Sequence, residues 1–115
     1  MRIAIFATAV GASLLFAVLV ACPAATQLTN GFSAYDTSAR LVVEGANPAP
    51  FYDDEWFRLQ TIRLGFGAAQ DIYNVNPPAA ALLMVPLAGL SPLAGKEVWT
   101  GLNLAFLAIA LAVLA

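Results

Sequence analysis

The chain has 115 residues, 61% of them hydrophobic and 10% charged, with a formal net charge of −2 and no histidine; soluble domains average about 45–50% apolar and about 25% charged residues, so this balance argues against a soluble fold. Arg2, Arg40, Arg58, Arg63 and Lys96 are dispersed, which leaves no electrostatic footprint for a phosphate backbone and excludes a nucleic-acid partner. Cys22 stands alone, so neither a disulfide framework nor a thiolate or imidazole metal site can form within the chain, and no metal or cofactor is expected.

The first apolar run, Ile3 to Ala25, is about 23 residues long and at about 1.5 Å per residue can cross a hydrocarbon core of roughly 30 Å. Residues 1–26 are therefore expected to form a first transmembrane helix. A rival reading starts from Leu19-Val20-Ala21-Cys22, which resembles the site where bacterial lipoproteins are cut and acylated. Signal cores run to about 7–15 residues and a secreted protein carries no further membrane-grade segments, so the retained helix is preferred.

Residues 27–76 read as a loop holding two short helices. In the first, Phe32, Tyr35, Ala39 and Val42 recur at spacings of three and four, while Asp36, Arg40 and Glu44 recur on another face. Asn30 or Ser33 can cap its start, Gly45 and Asn47-Pro48 stop it, and its expected seat is the membrane surface. In the second, Asp53, Asp54 and Glu55 occupy the positive end and Arg58 and Arg63 lie toward the negative end, with Trp56, Leu59 and Ile62 or Arg63 at helical spacing. Gly65-Phe66-Gly67 lacks the frame of a dinucleotide fingerprint and reads as a linker.

Asn76 followed by Pro77 predicts a cap with proline at the first helical position, opening an apolar segment kinked at Pro86. Residues 77–93 are expected to form a short second transmembrane or re-entrant helix. Residues 98–115 then begin a third, with Trp99 at interfacial depth, and Ala115 falls inside its apolar pattern, as at the front of a larger polytopic protein. With three crossings, Arg2 and Lys96 would face the cytoplasm. The 27–76 loop, where six acids meet three arginines, would face outward from the plasma membrane.

Gly31-Phe32-Ser33-Ala34-Tyr35-Asp36 through Gly45, then Phe51-Tyr52-Asp53-Asp54, Tyr73-Asn74-Val75-Asn76-Pro77-Pro78, Leu82 to Leu87, Trp99 and Leu102-Asn103-Leu104 follow one another in an order similar to the amino-terminal region of glycosyltransferase family 87. These are integral-membrane enzymes of the GT-C superfamily. The resemblance implies an all-α GT-C-like bundle and an inverting enzyme that moves a sugar, often mannose, from a polyprenyl-phosphate carrier to an acceptor hydroxyl on the outer side. Its implied partners are the lipid bilayer, the lipid-linked donor and a glycan or glycolipid acceptor. Such enzymes commonly place an aspartate base, often in an Asp-Phe pair, where this chain has Gly31-Phe32, and the nearest carboxylate is Asp36.

A sugar hydroxyl is a poor nucleophile, and a positioned base contributes about 10²–10⁴-fold to its attack. Asp36 is the expected base, with Asp71 next; Arg40, Arg58 and Arg63 are candidate phosphate ligands, and Asn74 and Asn76 candidate sugar ligands. Each has a plainer reading: Asp36 and Arg40 as an i,i+4 pair, Asp53 to Glu55 as complements of a helix dipole, the asparagines as caps. A non-catalytic membrane scaffold of the same fold and an exported lipoprotein remain the alternatives.

Overall fold

The computed structural model describes residues 2–73 and 76–114, without the side chain of Arg2. Every element among them is helical: α1 (Arg2–Phe16), a π turn (Ala17–Ala21), α2 (Cys22–Ala25), α3 (Asn30–Val43), a 3₁₀ turn (Ala49–Tyr52), α4 (Asp54–Arg63), α5 (Ala79–Met84), a second 3₁₀ turn (Val85–Leu87) and α6 (Pro92–Leu114). Together they measure 55 × 25 × 23 Å, a pair of long apolar helices surmounted by a packed cap.

Two stretches are long and apolar enough to cross a membrane, Ile3–Ala25 and Pro92–Leu114, and their most apolar windows bury no residue inside the protein. The first is continuous through a π turn. Pro23 brings no N–H to the helix, and just before it the ladder widens so that the Cys22 N–H reaches Ala17 O. The two stretches run antiparallel. α2 packs on α6 beneath the cap, and farther down Phe6, Val10 and Leu14 face Leu104, Leu107 and Leu111 across a cleft of about 270 Å³.

The cap is built around α3, which contacts α4, α5, the Val85–Leu87 turn and α6. Phe32, Ala39, Phe66, Met84 and Ala88 form one apolar cluster. Ala34, Leu41, Phe51, Phe57 and Tyr73 form the other. Because α3 is covered on several sides, its small polar residues turn inward, and its two serines satisfy themselves locally: Ser33 donates to Asn30 O (2.6 Å) and Ser38 to Tyr35 O (2.8 Å). Both cap helices end as their sequence demands. Gly45 (φ 71°) and Gly65 (φ 94°) take the left-handed conformation, and the next residues, Ala46 and Phe66, donate back to Leu41 O (2.9 Å) and Thr61 O (3.0 Å) in Schellman closures.

Several expectations are corrected. The face of α3 that carries its charges is not turned outward as a whole: Asp36 is 0% exposed, while Val42 on the apolar face is 38% exposed. Helix α3 begins at Asn30 after Thr29, with no side-chain cap. The acidic start of α4 stands where expected, with Asp53 as its cap accepting the Trp56 N–H (2.9 Å) and Asp54 and Glu55 in the first turn. Leu59 (58%) and Ile62 (46%) are exposed, while α4 buries Phe57 and Thr61. Residues 77–93 hold no helix long enough to cross a membrane. The six residues of α5 rise only about 9 Å against a core of roughly 30 Å, and the next long helix starts at Pro92 rather than at residue 98.

Removing that crossing moves Lys96 to the other end of the protein. Its Nζ donates to Thr29 Oγ1 (2.9 Å) and stands 5.4 Å from the centroid of the Phe32 ring, so the 91–97 connector and the 27–76 loop share one end. Single cysteines at Ser91 and Glu55 in a Cys22→Ser background will therefore label from the same side of sealed membranes. Labelling of one but not the other before permeabilisation would restore the three-crossing arrangement.

Candidate functional site

The centre of the cap is an acid that the fold has taken out of water. Asp36 Oδ2 accepts the Arg40 Nε–H at 2.5 Å, one turn along α3. The second arm of the guanidinium, Nη2, donates to Leu90 O at 2.5 Å. One arginine thus fixes a carboxylate and ties α3 to the turn that leads into α6. The Arg40 side chain keeps 15% of its exposure and the Asp36 side chain none.

The other oxygen, Oδ1, is buried without a hydrogen-bond partner, as is Thr37 Oγ1. It faces Gly95. A Cβ added there would stand 3.6 Å from Asp36 Oδ1, 3.4 Å from Phe32 Cζ and 4.0 Å from Leu87 O, all at ordinary contact distance, so the first turns of α6 pack directly against the acid. Burial pushes the Asp36 pKa above its ordinary 3.8, while the hydrogen bond and charge of Arg40 pull it back only in part. Asp36 thus combines a raised proton affinity with one oxygen anchored and one unengaged, the features of a candidate proton acceptor.

One turn beyond Gly95, Trp99 shares a groove of about 440 Å³ with Tyr35, Pro77, Leu83 and Met84. A second groove, about 450 Å³, lies farther along α3 at Val42 and is lined by Asn47, Phe51, Tyr52, Tyr73 and Pro78. Its aromatic wall is rigid: the Tyr73 ring meets Phe51 edge-on at 5.7 Å and stacks on Phe57 at 5.5 Å, and its hydroxyl donates to Pro77 O (2.9 Å).

The predicted site residues are only partly gathered. Asp36 and Arg40 meet; Arg58 is exposed on α4. Arg63 is committed to Glu44 through paired contacts of 3.3 and 2.7 Å. Asn76 does not cap α5, whose N-cap is Pro78; its N–H donates to Tyr73 O (2.8 Å) and its carbonyl accepts from Tyr52 Oη (3.5 Å). Asn74 lies outside the described residues. Asp71 Oδ1 accepts the Ile72 N–H (2.8 Å). Among the described residues no three acids, cysteines or histidines converge as a metal site would need. The sequence reading missed Gly95 and the Leu90 carbonyl; a glycine in the first turns of a long apolar helix was the available signal.

Comparison of the chain with family models, with curated proteins and with solved structures finds no match.

Proposed function

We propose that the chain is the amino-terminal, membrane-anchoring part of a glycosyltransferase that uses a polyprenyl-phosphate sugar, with Asp36 as its base. The observation that carries this reading is the unengaged Asp36 Oδ1, held in place through Oδ2 by Arg40. In the proposed reaction the acceptor hydroxyl gives its proton to Oδ1 as its oxygen bonds to the anomeric carbon. The bond from that carbon to phosphate breaks, inversion results, and polyprenyl phosphate leaves with its electron pair. Arg40 acts as a positioning residue rather than a phosphate ligand, since its donors are directed to Asp36 and Leu90. Arg58, exposed on α4, is the arginine left to meet the leaving phosphate, and Asn76 remains the sugar ligand on this reading.

A second reading, a non-catalytic scaffold of the same fold, draws on two observations. Oδ1 is sealed by Phe32 and Gly95. The cap end also carries Arg40, Arg58, Arg63 and Lys96 against Arg2 at the other, and basic residues favour the cytoplasmic side, whereas the transferase needs the cap outside. Transfer of mannose from a polyprenyl-phosphate donor by the whole protein in membranes separates the two. In Asp36→Asn, with folding checked independently, turnover should fall at least about 10²-fold; near-normal turnover would place the base elsewhere, with Asp71 next, and no transfer by the unaltered protein would leave the scaffold reading standing.

A further inference from the structure

From Ile72 to Gly95 the chain carries no charged residue, unlike α4, which carries Asp54, Glu55, Arg58 and Arg63. Within this neutral stretch α5 buries Ala80, Ala81 and Met84 and leaves Leu82 (62%) and Leu83 (73%) exposed, as fully as Leu14 (63%) and Phe106 (67%) on the two long apolar helices. The depth of this face follows from α6. Lys96 and Glu97 hold its first turns at the polar boundary, and Trp99, just below them, sits where amphipathic rings favour the interface. Leu83 lines the same groove as Trp99, so the exposed edge of α5 is level with the point where α6 enters the hydrocarbon.

We propose that α5 lies in the membrane interface, its Leu82–Leu83 edge among the acyl chains of the leaflet on the cap side, with a phospholipid chain occupying the groove between Leu83, Tyr35 and Trp99. Segment 77–93 then lies on the membrane instead of crossing it. Helix α5 is too short to span, yet its neutral edge is continuous with the apolar surface of α6, which selects lipid over water as its surroundings. The assignment does not depend on the glycosyltransferase reading.

The test uses the whole protein in vesicles of phosphatidylcholine and phosphatidylglycerol, in a Cys22→Ser background, with an environment-sensitive fluorophore on Leu83→Cys. Leu59→Cys on α4 is the reference; both sites are exposed, so neither substitution opens a cavity. Interfacial helices bury their apolar face about 5–10 Å deep, so lipids bearing a nitroxide near the carbonyl should quench the label at 83 at least about twice as strongly as that at 59. Aqueous iodide should show the reverse order. Iodide quenching at 83 equal to that at 59 would overturn the proposal. So would a label at 83 reached by neither quencher, which would mark the edge as covered by protein.

Discussion

Replacing Arg40 by Met should destabilise the cap by about 3 kcal/mol at neutral pH, the lower end of the range for breaking a buried ion pair because Arg40 retains some exposure. The substitution keeps most of the side-chain volume. It removes the partner of a fully buried carboxylate and the donor to Leu90 O. The loss should shrink with acid. Burial raises the Asp36 pKa in the fold above 3.8 while Arg40 lowers it, so the unfolded chain releases this proton first. The stability associated with that protonation is complete below 3.8 and is lost as pH rises through the higher folded value. Without Arg40 the folded value moves higher still, and the variant recovers stability by protonation where the wild type gains less. Adding Asp36→Leu, close in shape to the carboxylate, should restore most of the loss at neutral pH, since removing both charges leaves no orphan. Denaturation in micelles at neutral pH and at about pH 4 measures this. A single variant as stable as wild type, or a deficit that does not change with pH, would show that Asp36 is not held in the way described.

The parts of this architecture that depend on local chemistry were legible in the sequence. Run length identified both long apolar helices, and Gly45, Gly65 and the acidic start of α4 announced helix ends that the structure forms. What could not be read were relations between distant residues. Asp36 repeats with Arg40 and Glu44 as a solvated face would, yet α6 packs over it at Gly95, and Leu90, fifty positions from Arg40, supplies a carbonyl to the same guanidinium. Pro86 and the short apolar stretch before it are compatible with a crossing or a re-entrant turn, and only the position of Lys96 beside Thr29, which places both flanks at one end, argues against the crossing. The site was half legible for the same reason. A carboxylate with an arginine four residues on is visible in the chain, whereas the Gly95 surface that seals it belongs to another helix.

Helix α4 offers the sharpest contrast between pattern and packing, because it carries apolar residues on more than one stripe. Trp56, Leu59 and Ile62 or Arg63 fit a helical period, but the fold turns Phe57 and Thr61 inward. Phe57 is 0% exposed; its ring stacks on Tyr73 at 5.5 Å and meets Phe51 edge-on at 6.2 Å. Phe57→Ala should therefore cost about 3–5 kcal/mol, the range for deleting a buried aromatic ring and leaving its cavity. Leu59→Ala, two residues along the same helix but 58% exposed, should change stability by no more than about 0.5 kcal/mol. The damage should also be local: the aromatic cluster fixes Tyr73, whose hydroxyl holds Pro77 O at the approach to α5, while α2 and α6 touch elsewhere. Hydrogen exchange in micelles should accordingly show faster exchange in α4 and around Tyr73 in Phe57→Ala, with the amides of Leu102 to Leu111 unaffected. Equal losses in the two variants, or a larger loss for Leu59→Ala, would mean that α4 is rotated to the face its sequence period first suggested.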